Sequence, residues 1–225
     1  MDKNLVRQRI EEIGIVPVVR ASSSEEACMA AEAVRLGGIP IVEITMTVPG
    51  ALEVIAALAK QCGSEVLIGA GTIRSPDAVR RCLDAGAQFL VSPGTRTNAQ
   101  VIEIAAQRSV VMIAGALTPT EVDSAWQLGV DFVKIFPCSA VGGPSYIKAL
   151  KGPFPEIPLV PTGGVNLNTA GDFLKAGAAA LGVGGELVQA AALKAGKAEL
   201  ITEAAKKYVE IIQKTRAQMA AGMSK

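Results

Sequence analysis

The most informative absence in this sequence of 225 residues is histidine, which does not occur at all. Its absence excludes imidazole general bases, serine or cysteine nucleophiles activated by histidine, and mixed cysteine–histidine zinc sites. Any catalysis must therefore use lysine, carboxyl groups, arginine, tyrosine, cysteine, hydroxyl groups or the backbone.

A strong charge of either sign is also absent. Lys and Arg number 22, Asp and Glu number 21, and the net charge is +1. This balance predicts neither a nucleic-acid partner nor an anionic membrane partner. Charges, glycines or prolines interrupt every apolar run before it could span a membrane, and the charged segment Met1–Glu12 lacks the apolar core of a signal peptide. We therefore expect a cytoplasmic protein.

The four cysteines show no CxxC spacing, and we interpret them as reduced packing residues without a metal: Cys28, Cys62, Cys82 and Cys138. Cys138 lies near the candidate site described below but has no evident base to activate it. Aromatic residues make up only 4% of the chain, whereas half of it is apolar, so the core consists mainly of Ala, Val, Ile and Leu.

What the sequence contains is an alternation of short apolar runs and Ala-rich amphipathic segments. The eight strand candidates are Ile15–Arg20, Ile39–Thr45, Val66–Ala70, Gln88–Val91, Val110–Ala114, Asp131–Ile135, Leu159–Thr162 and Ala179–Val183. The helix candidates between and after them are Ser24–Leu36, Pro49–Gln61, Pro76–Ala85, Asn98–Arg108, Pro119–Leu128, Pro144–Leu150, Leu167–Ala176 and Ala198–Met219.

This alternation predicts an α/β fold, a single (β/α)8 TIM barrel formed by residues 1–225. An extra helix within residues 1–14, about Lys3–Ile13, is expected to cover the bottom of the barrel. The alternative is a doubly wound open sheet. No GxGxxG fingerprint follows the first strand, which ends in Val19-Arg20-Ala21-Ser22, so a dinucleotide site is not indicated.

One lysine stands inside an apolar strand, in the stretch Val133-Lys134-Ile135-Phe136-Pro137. Glu43 is similarly placed between Val42 and Ile44. Active sites of such barrels lie at the carboxyl ends of the strands. The two residues are therefore either a structural ion pair or a nucleophilic amine with a proton-transferring carboxyl group. Arg20, at the end of the first strand, is either a partner of Glu43 or a cation for an anionic substrate.

Glycine-rich segments follow the seventh and eighth strands. They read Thr162-Gly163-Gly164-Val165-Asn166 and Gly182-Val183-Gly184-Gly185, and both are expected directly before helix starts. These two loops form the usual phosphate site of barrel enzymes, and backbone N–H groups at a helix N-terminus bind phosphate. A phosphate-binding site is therefore predicted here. Gly69-Ala70-Gly71-Thr72 could equally present N–H groups and a hydroxyl to a carboxylate.

Five motifs together resemble the aldolase family of 2-keto-3-deoxy-6-phosphogluconate (KDPG) and 4-hydroxy-2-oxoglutarate (KHG). They are Val42-Glu43-Ile44-Thr45, Gly69-Ala70-Gly71-Thr72, Val91-Ser92-Pro93-Gly94, Val133-Lys134-Ile135-Phe136-Pro137 and Pro161-Thr162-Gly163-Gly164-Val165. The resemblance runs over nearly the whole chain. It implies a class I aldolase, usually a homotrimer, that uses no metal and no cofactor. Such an enzyme forms a covalent Schiff base between a lysine and its substrate.

The resemblance also implies a role for each site residue. Lys134 would form the Schiff base with pyruvate, and Glu43 would transfer protons. The substrate-binding residues would be Arg20, Thr47, Thr72, Pro93, Phe136, Thr162, Gly163, Gly164, Gly184 and Gly185. Thr72 would hold the pyruvate carboxylate, Pro93 would line the pocket, and the glycines would hold the phosphate of a phosphorylated 2-keto acid.

Two positions depart from the pattern of many members. Thr47 stands where many members have an arginine that binds substrate. A different subgroup has the pattern Thr-x-Thr-x-Pro at this place, as this chain does. Gly185 replaces a serine, so one hydrogen bond to a phosphate would be lost and the preference for phosphate would be weaker.

Four alternatives remain open from the sequence. The same chemistry could act on the phosphogalactonate epimer or on KHG, which carries no phosphate. The chain could instead be a phosphate-binding barrel isomerase or synthase, whose sites do not require a lysine in this motif. It could also be a non-catalytic trimeric scaffold of the same fold, although the intact Lys134 and Glu43 argue against loss of activity.

Overall fold

A computed structural model of the chain describes residues 2–94 and 99–223. Helices and parallel strands alternate through it. The strands are β1 (Ile15–Val19), β2 (Ile41–Thr45), β3 (Leu67–Gly71), β4 (Phe89–Val91), β5 (Val111–Ala116), β6 (Phe132–Ile135), β7 (Leu159–Pro161) and β8 (Leu181–Val183). The helices are α1 (Lys3–Ile13), α2 (Ser24–Leu36), α3 (Ala51–Cys62), α4 (Pro76–Asp84), α5 (Ala99–Gln107), α6 (Pro119–Gln127), α7 (Pro144–Lys151), α8 (Ala170–Lys175), α9 (Ala190–Lys194) and α10 (Ala198–Met223).

The eight strands form one parallel sheet in the order β7-β6-β5-β4-β3-β2-β1-β8. Isolated bridges from Leu159 to Ala178 and from Thr162 to Gly182 bring the two ends of this sheet together. Every residue of the strands is buried, as expected for strands covered on both faces. The sheet is thus a nearly closed (β/α)8 barrel, which confirms the predicted fold and overturns the open-sheet alternative.

The predicted N-terminal helix is present as α1 and packs beneath the barrel. Lys3 of α1 forms a salt bridge of 3.0 Å with Asp131, directly before β6. On the other side of the helix, Arg9 donates hydrogen bonds to the carbonyl oxygens of Ser64 and Glu65, at 2.8 and 2.9 Å. These contacts place α1 at the amino ends of the strands, opposite the ends that carry Lys134.

Local sequence signals explain several helix starts. Ser23 accepts a hydrogen bond from the Glu26 N–H, and Thr118 and Glu121 form a reciprocal capping box at the start of α6. The predicted start of α3 at Pro49 is wrong, because Gly50 is the N-cap and the helix begins at Ala51.

Other helix predictions also differ from the structure or are not tested by it. The predicted helix Leu167–Ala176 shortens to α8, because residues 167–169 form a turn. The short helix α9 was not predicted. The predicted start of the fifth helix at Asn98 lies outside the described residues. No helix in the described part of the chain is both long enough and apolar enough to cross a membrane.

Candidate active site

Lys134 and Glu43 both lie inside the barrel on non-adjacent strands. Lys134 pairs in register with Gly115 of β5 and Val160 of β7, and only 6% of it is exposed. Glu43 occupies the middle of β2 and is 2% exposed. The alternation of strand side chains points both residues inward, as the sequence predicted.

The Glu43 carboxyl group is held in an apolar setting without a direct partner. Its Oε1 atom is the buried side-chain oxygen that has no hydrogen-bond partner among the described residues. A Cβ atom at Gly71 would overlap with this carboxyl group, so the glycine of β3 makes room for it. Burial raises the pKa of Glu43, while the positive charges of Lys134 and Arg20 act in the opposite direction.

The structure does not support the alternative of a structural ion pair. Among residues 2–94 and 99–223, neither Lys134 nor Arg20 forms a salt bridge with Glu43. Both cations are nevertheless close enough to influence the pKa of the carboxyl group. A buried carboxyl group with a raised pKa near an amine is suited to proton transfer.

Phe136 stands beside the Lys134 amine at the mouth of the barrel. The Nζ atom of Lys134 lies 5.4 Å from the centroid of the Phe136 ring, and 40% of Phe136 is exposed. The ring therefore shields one side of the amine and leaves another open to the cavity, as expected for a residue next to a bound substrate.

A cavity of about 260 Å³ opens at the carboxyl ends of the strands. It brings together eight of the predicted site residues, namely Arg20, Lys134, Phe136, Thr162, Gly163, Gly164, Gly184 and Gly185. The same wall contains Val165 and Gly182 from the predicted glycine segments, and two residues that were not predicted, Val18 and Glu186. Strand alternation from Arg20 could have found Val18, and proximity to the glycine loops could have found Glu186.

The glycine segments face this cavity with backbone groups. Gly163 and Gly164 have φ values of 87° and 80°, a region that favours glycine. Within the described residues, no hydrogen bond is donated by the N–H groups of Gly164, Gly185 or Glu186, and all three residues line the cavity. These N–H groups are available to an anion.

The expectation that both loops directly precede helix starts is wrong. After Gly164 the chain forms a turn before α8 begins at Ala170, and after Gly185 another turn precedes α9 at Ala190. The anion-binding potential of the wall therefore comes from the loop N–H groups themselves and not from helix termini.

Thr162 lines the cavity but its hydroxyl is directed along the strands. Its Oγ1 atom lies 3.4 Å from the Val160 carbonyl oxygen, and a Cβ at Gly182 would overlap with the threonine side chain. Its placement in the wall agrees with the prediction.

Four predicted site residues do not line this cavity, namely Glu43, Thr47, Thr72 and Pro93. The Thr47 hydroxyl is exposed and lies 2.7 Å from the hydroxyl oxygen of Thr45. Thr72 follows β3 and has a φ of 59°, which is uncommon for a β-branched residue and costs free energy. The backbone of Pro93 packs over Gly115, where a Cβ atom would overlap with it. Their binding roles remain predictions.

A slightly larger cavity, of about 280 Å³, lies at the opposite end of the barrel beside α1 and α10. Its charged residue Arg216 donates hydrogen bonds to the carbonyl oxygens of Glu11 and Glu12, and thus caps the C-terminal end of α1. We assign the active site to the other cavity because that one contains the buried amine and the free N–H groups.

Metal ligands are not grouped in the part of the chain that the structure describes. No three Cys, Asp or Glu side chains there are arranged to hold a metal ion. The prediction of catalysis without a metal stays a prediction, whereas the buried amine supports a covalent mechanism on lysine.

An amine that is buried, unpaired and accessible from a cavity can attack a carbonyl carbon, and the iminium that forms withdraws electrons from neighbouring bonds. With a buried carboxyl group suited to proton transfer and loop N–H groups available to an anion, the barrel has the features of lysine-dependent aldolases.

Comparison with known proteins gives the same class. The family model described as "Aldolase: KDPG and KHG aldolase" matches residues 6–204, and the chain belongs to this family. The 2-dehydro-3-deoxy-phosphogluconate aldolase of Treponema pallidum is 34% identical over 206 residues, which cover 91% of this chain and 96% of that relative. The chain is therefore an aldolase, a carbon–carbon lyase.

Two solved structures resemble the fold closely. KDPG aldolase from Legionella pneumophila, with pyruvate captured as a covalent carbinolamine intermediate, has a TM-score of 0.80 and 33% identity, and covers 89% of this chain and 96% of its own. A native KDPGal structure has a TM-score of 0.83 and 30% identity over 90% of this chain and 96% of its own.

Proposed function

We propose that this chain is a class I aldolase that cleaves 2-dehydro-3-deoxy-6-phosphogluconate to pyruvate and D-glyceraldehyde 3-phosphate. The observation that carries the proposal is the Lys134 amine, which lies inside the barrel without an ion-pair partner among the described residues. Family membership and the carbinolamine of the Legionella enzyme support a covalent intermediate with pyruvate.

The reaction begins at the nitrogen of Lys134. This nitrogen attacks the C2 carbonyl of the substrate, and loss of water from the carbinolamine gives an iminium. The C3–C4 bond then breaks, because its electron pair moves toward the iminium to form an enamine. The C4 hydroxyl loses its proton as the aldehyde forms. The enamine takes up a proton at C3, and water releases pyruvate and regenerates the amine.

Glu43 is the group that we assign to these proton transfers, through one water molecule. Its raised pKa makes the ionised carboxyl group a stronger base than an exposed carboxylate. The ionised carboxyl group takes the C4 hydroxyl proton during cleavage and returns a proton to the enamine afterwards. Phe136 limits the access of bulk water to the iminium, because its ring stands beside the amine.

The remaining residues bind the two ends of the substrate. Thr72 and the glycine segment before it would hold the pyruvate carboxylate, with Pro93 and Thr47 beside it, and Arg20 would contact the anionic substrate. The N–H groups of the two glycine loops would bind the phosphate, helped by their lack of acceptors within the described residues. Thr162 would support this wall.

KHG is the second candidate substrate, with glyoxylate as the aldehyde product. Gly185 favours it, because no hydroxyl side chain at this position is available to a phosphate. The phosphogalactonate epimer is a further candidate, because the chain resembles a KDPGal structure at 30% identity. We also propose that the protein is a homotrimer, as the resemblance implies, and that it is located in the cytoplasm.

The proposal is tested by measuring kcat/KM for pyruvate release from KDPG, from its galactonate epimer and from KHG. We expect KDPG to give the highest value, and Lys134→Arg to abolish release from all three while the variant stays folded. A higher kcat/KM for the epimer or for KHG would overturn the assignment of KDPG as the preferred substrate. No release by the wild-type protein would favour the non-catalytic scaffold.

A further inference from the structure

Thr169 stands at the N-cap position of α8 but does not cap this helix. A threonine there ordinarily accepts a hydrogen bond from the first turn, yet its side chain accepts none from α8. Its hydroxyl turns back to the glycine loop instead. Oγ1 lies 3.1 Å from the Gly164 carbonyl oxygen and accepts a hydrogen bond of 3.0 Å from the Asn166 N–H.

The Thr169 hydroxyl has only one proton to donate. Its other possible acceptors, the backbone and side-chain oxygens of Asn166, are both 3.4 Å away. The Gly164 carbonyl is therefore the best acceptor for this proton. Asn166 in turn uses its Oδ1 atom to accept from the N–H groups of Asn168 and Thr169, so the turn is held internally.

Fixing the Gly164 carbonyl also fixes the next N–H group. The peptide unit is planar and trans, so the N–H of Val165 points away from the carbonyl oxygen that Thr169 holds. Val165 lines the active-site cavity, and its N–H donates no hydrogen bond within the described residues. A backbone N–H whose direction is fixed by the preceding carbonyl, and which has no acceptor in the protein, is available to donate a hydrogen bond to a ligand.

The preceding peptide unit is held by a different group. The Gly163 carbonyl accepts a hydrogen bond of 3.1 Å from the Ser139 N–H, which orients the N–H of Gly164 in the same way. Gly164 packs so closely on Ser139 that a Cβ atom would overlap with the serine side chain. Two successive N–H groups are thus oriented, one by a backbone contact and one by the side chain of Thr169.

We propose that the Val165 N–H donates a hydrogen bond to the phosphate of the substrate and that Thr169 is its positioning residue. This inference rests on the proposed function, because it requires a phosphorylated substrate. Thr169 touches no reacting atom, and its effect is confined to the half of the substrate that carries the phosphate.

The test compares Thr169→Val, which removes the hydroxyl at nearly the same size, with Thr169→Ser, which keeps it. Asn168→Ala, on the same turn, is the matched control because only its backbone takes part in the network. For each protein we would measure kcat and KM with KDPG and with KHG, and the rate of deuterium exchange at C3 of pyruvate.

We expect Thr169→Val to raise KM for KDPG about tenfold, which corresponds to about 1.4 kcal/mol, with little change in kcat. Its KM for KHG and its pyruvate exchange should stay at wild-type values, and Thr169→Ser and Asn168→Ala should behave like the wild type. Thr169→Ala gives the same comparison if the valine variant does not fold.

Two results would overturn the positioning role. One is an equal loss with KDPG and KHG in the hydroxyl-free variants, which would mark a purely structural effect. The other is an unchanged KM for KDPG. A wild-type protein that cleaves KDPG no better than KHG would instead contradict the proposed function, and with it this inference.

Discussion

Glu43 experiences the strongest conflict between burial and charge in the active site. An ionised carboxyl group is poorly solvated inside an apolar barrel, so the pKa of Glu43 is raised even though the charges of Lys134 and Arg20 act to lower it. The ionisation of Glu43 therefore destabilises the fold increasingly as the pH rises. Such a loss of stability is common for groups that are retained for catalysis.

Replacing Glu43 by glutamine removes this pH-dependent cost. The folded pKa is raised above the usual 4.5, so the wild-type fold loses stability as the pH rises from about that value through the folded pKa. We expect the free energy of unfolding of Glu43→Gln, relative to wild type, to be higher at pH 8 than at pH 4. Urea denaturation at both values measures it.

Glu210→Gln, on an exposed part of α10, is the control for this comparison, with an expected effect within about 0.5 kcal/mol at either pH. A Glu43→Gln effect that is the same at pH 4 and pH 8 would contradict the raised pKa. Glu43→Gln should also release pyruvate about 10² to 10⁴ times more slowly than wild type, because the glutamine side chain cannot accept a proton.

Side-chain direction was predictable for some residues and not for others. Lys134 and Glu43 stood out in the sequence because each is a charged residue inside an apolar strand run, and both are buried in the barrel. A periodic pattern could not describe Thr72, whose φ is positive. Nor could it describe Thr169, whose hydroxyl points back to the glycine loop and does not cap α8. Thr169 bonds to Gly164 and Asn166 within its own turn, and a hydrophobic periodicity does not encode such contacts.

At the scale of the elements, α1 is fixed to the barrel through Asp131. One oxygen of this buried carboxylate pairs with Lys3, and the other accepts a hydrogen bond of 2.8 Å from the Met112 N–H. Asp131 thus connects α1, the start of β6 and the neighbouring strand β5.

Substituting Asp131 by alanine should lower the free energy of unfolding by about 2–4 kcal/mol, because the Met112 N–H loses its acceptor in a buried place. Lys3→Met should cost less than about 1 kcal/mol, since this lysine is partly exposed. Chemical denaturation of both variants tests this order. Equal effects would mean that the ion pair, not the hydrogen bond, stabilises the junction.

The regular elements were largely visible in the sequence, whereas the short ones were not. Strand runs and amphipathic helices have strong periodicities, and α2 was predicted with its observed bounds. The start of α3 was wrong because Gly50, in a left-handed conformation, forms the N-cap after Pro49. The five residues of α9 are too few to give a helical pattern.

At the scale of the whole molecule, we predict that residues 1–225 fold as one domain. The barrel core is continuous from α1 to α10, and helices from both ends of the sequence pack near each other through Arg216 and Glu11. Calorimetry should therefore show one cooperative unfolding transition. Two separate transitions would contradict the single-domain prediction.

The predicted homotrimer is a separate expectation at this scale. Sedimentation equilibrium should give a mass three times that of the 23.1 kDa chain, independent of moderate dilution. A mass of one or two chains would contradict it. The test matters for function because assembly could cover part of the surface around the barrel mouth.

Borohydride trapping shows whether Lys134 is the residue that forms the Schiff base. The protein is incubated with pyruvate and borohydride, digested and mapped by mass spectrometry, with the exposed Lys148 and Lys175 as internal controls. Our account predicts one reduced pyruvate adduct, on Lys134, which is absent from Lys134→Arg. No adduct, or one on Lys148 or Lys175 alone, would contradict it.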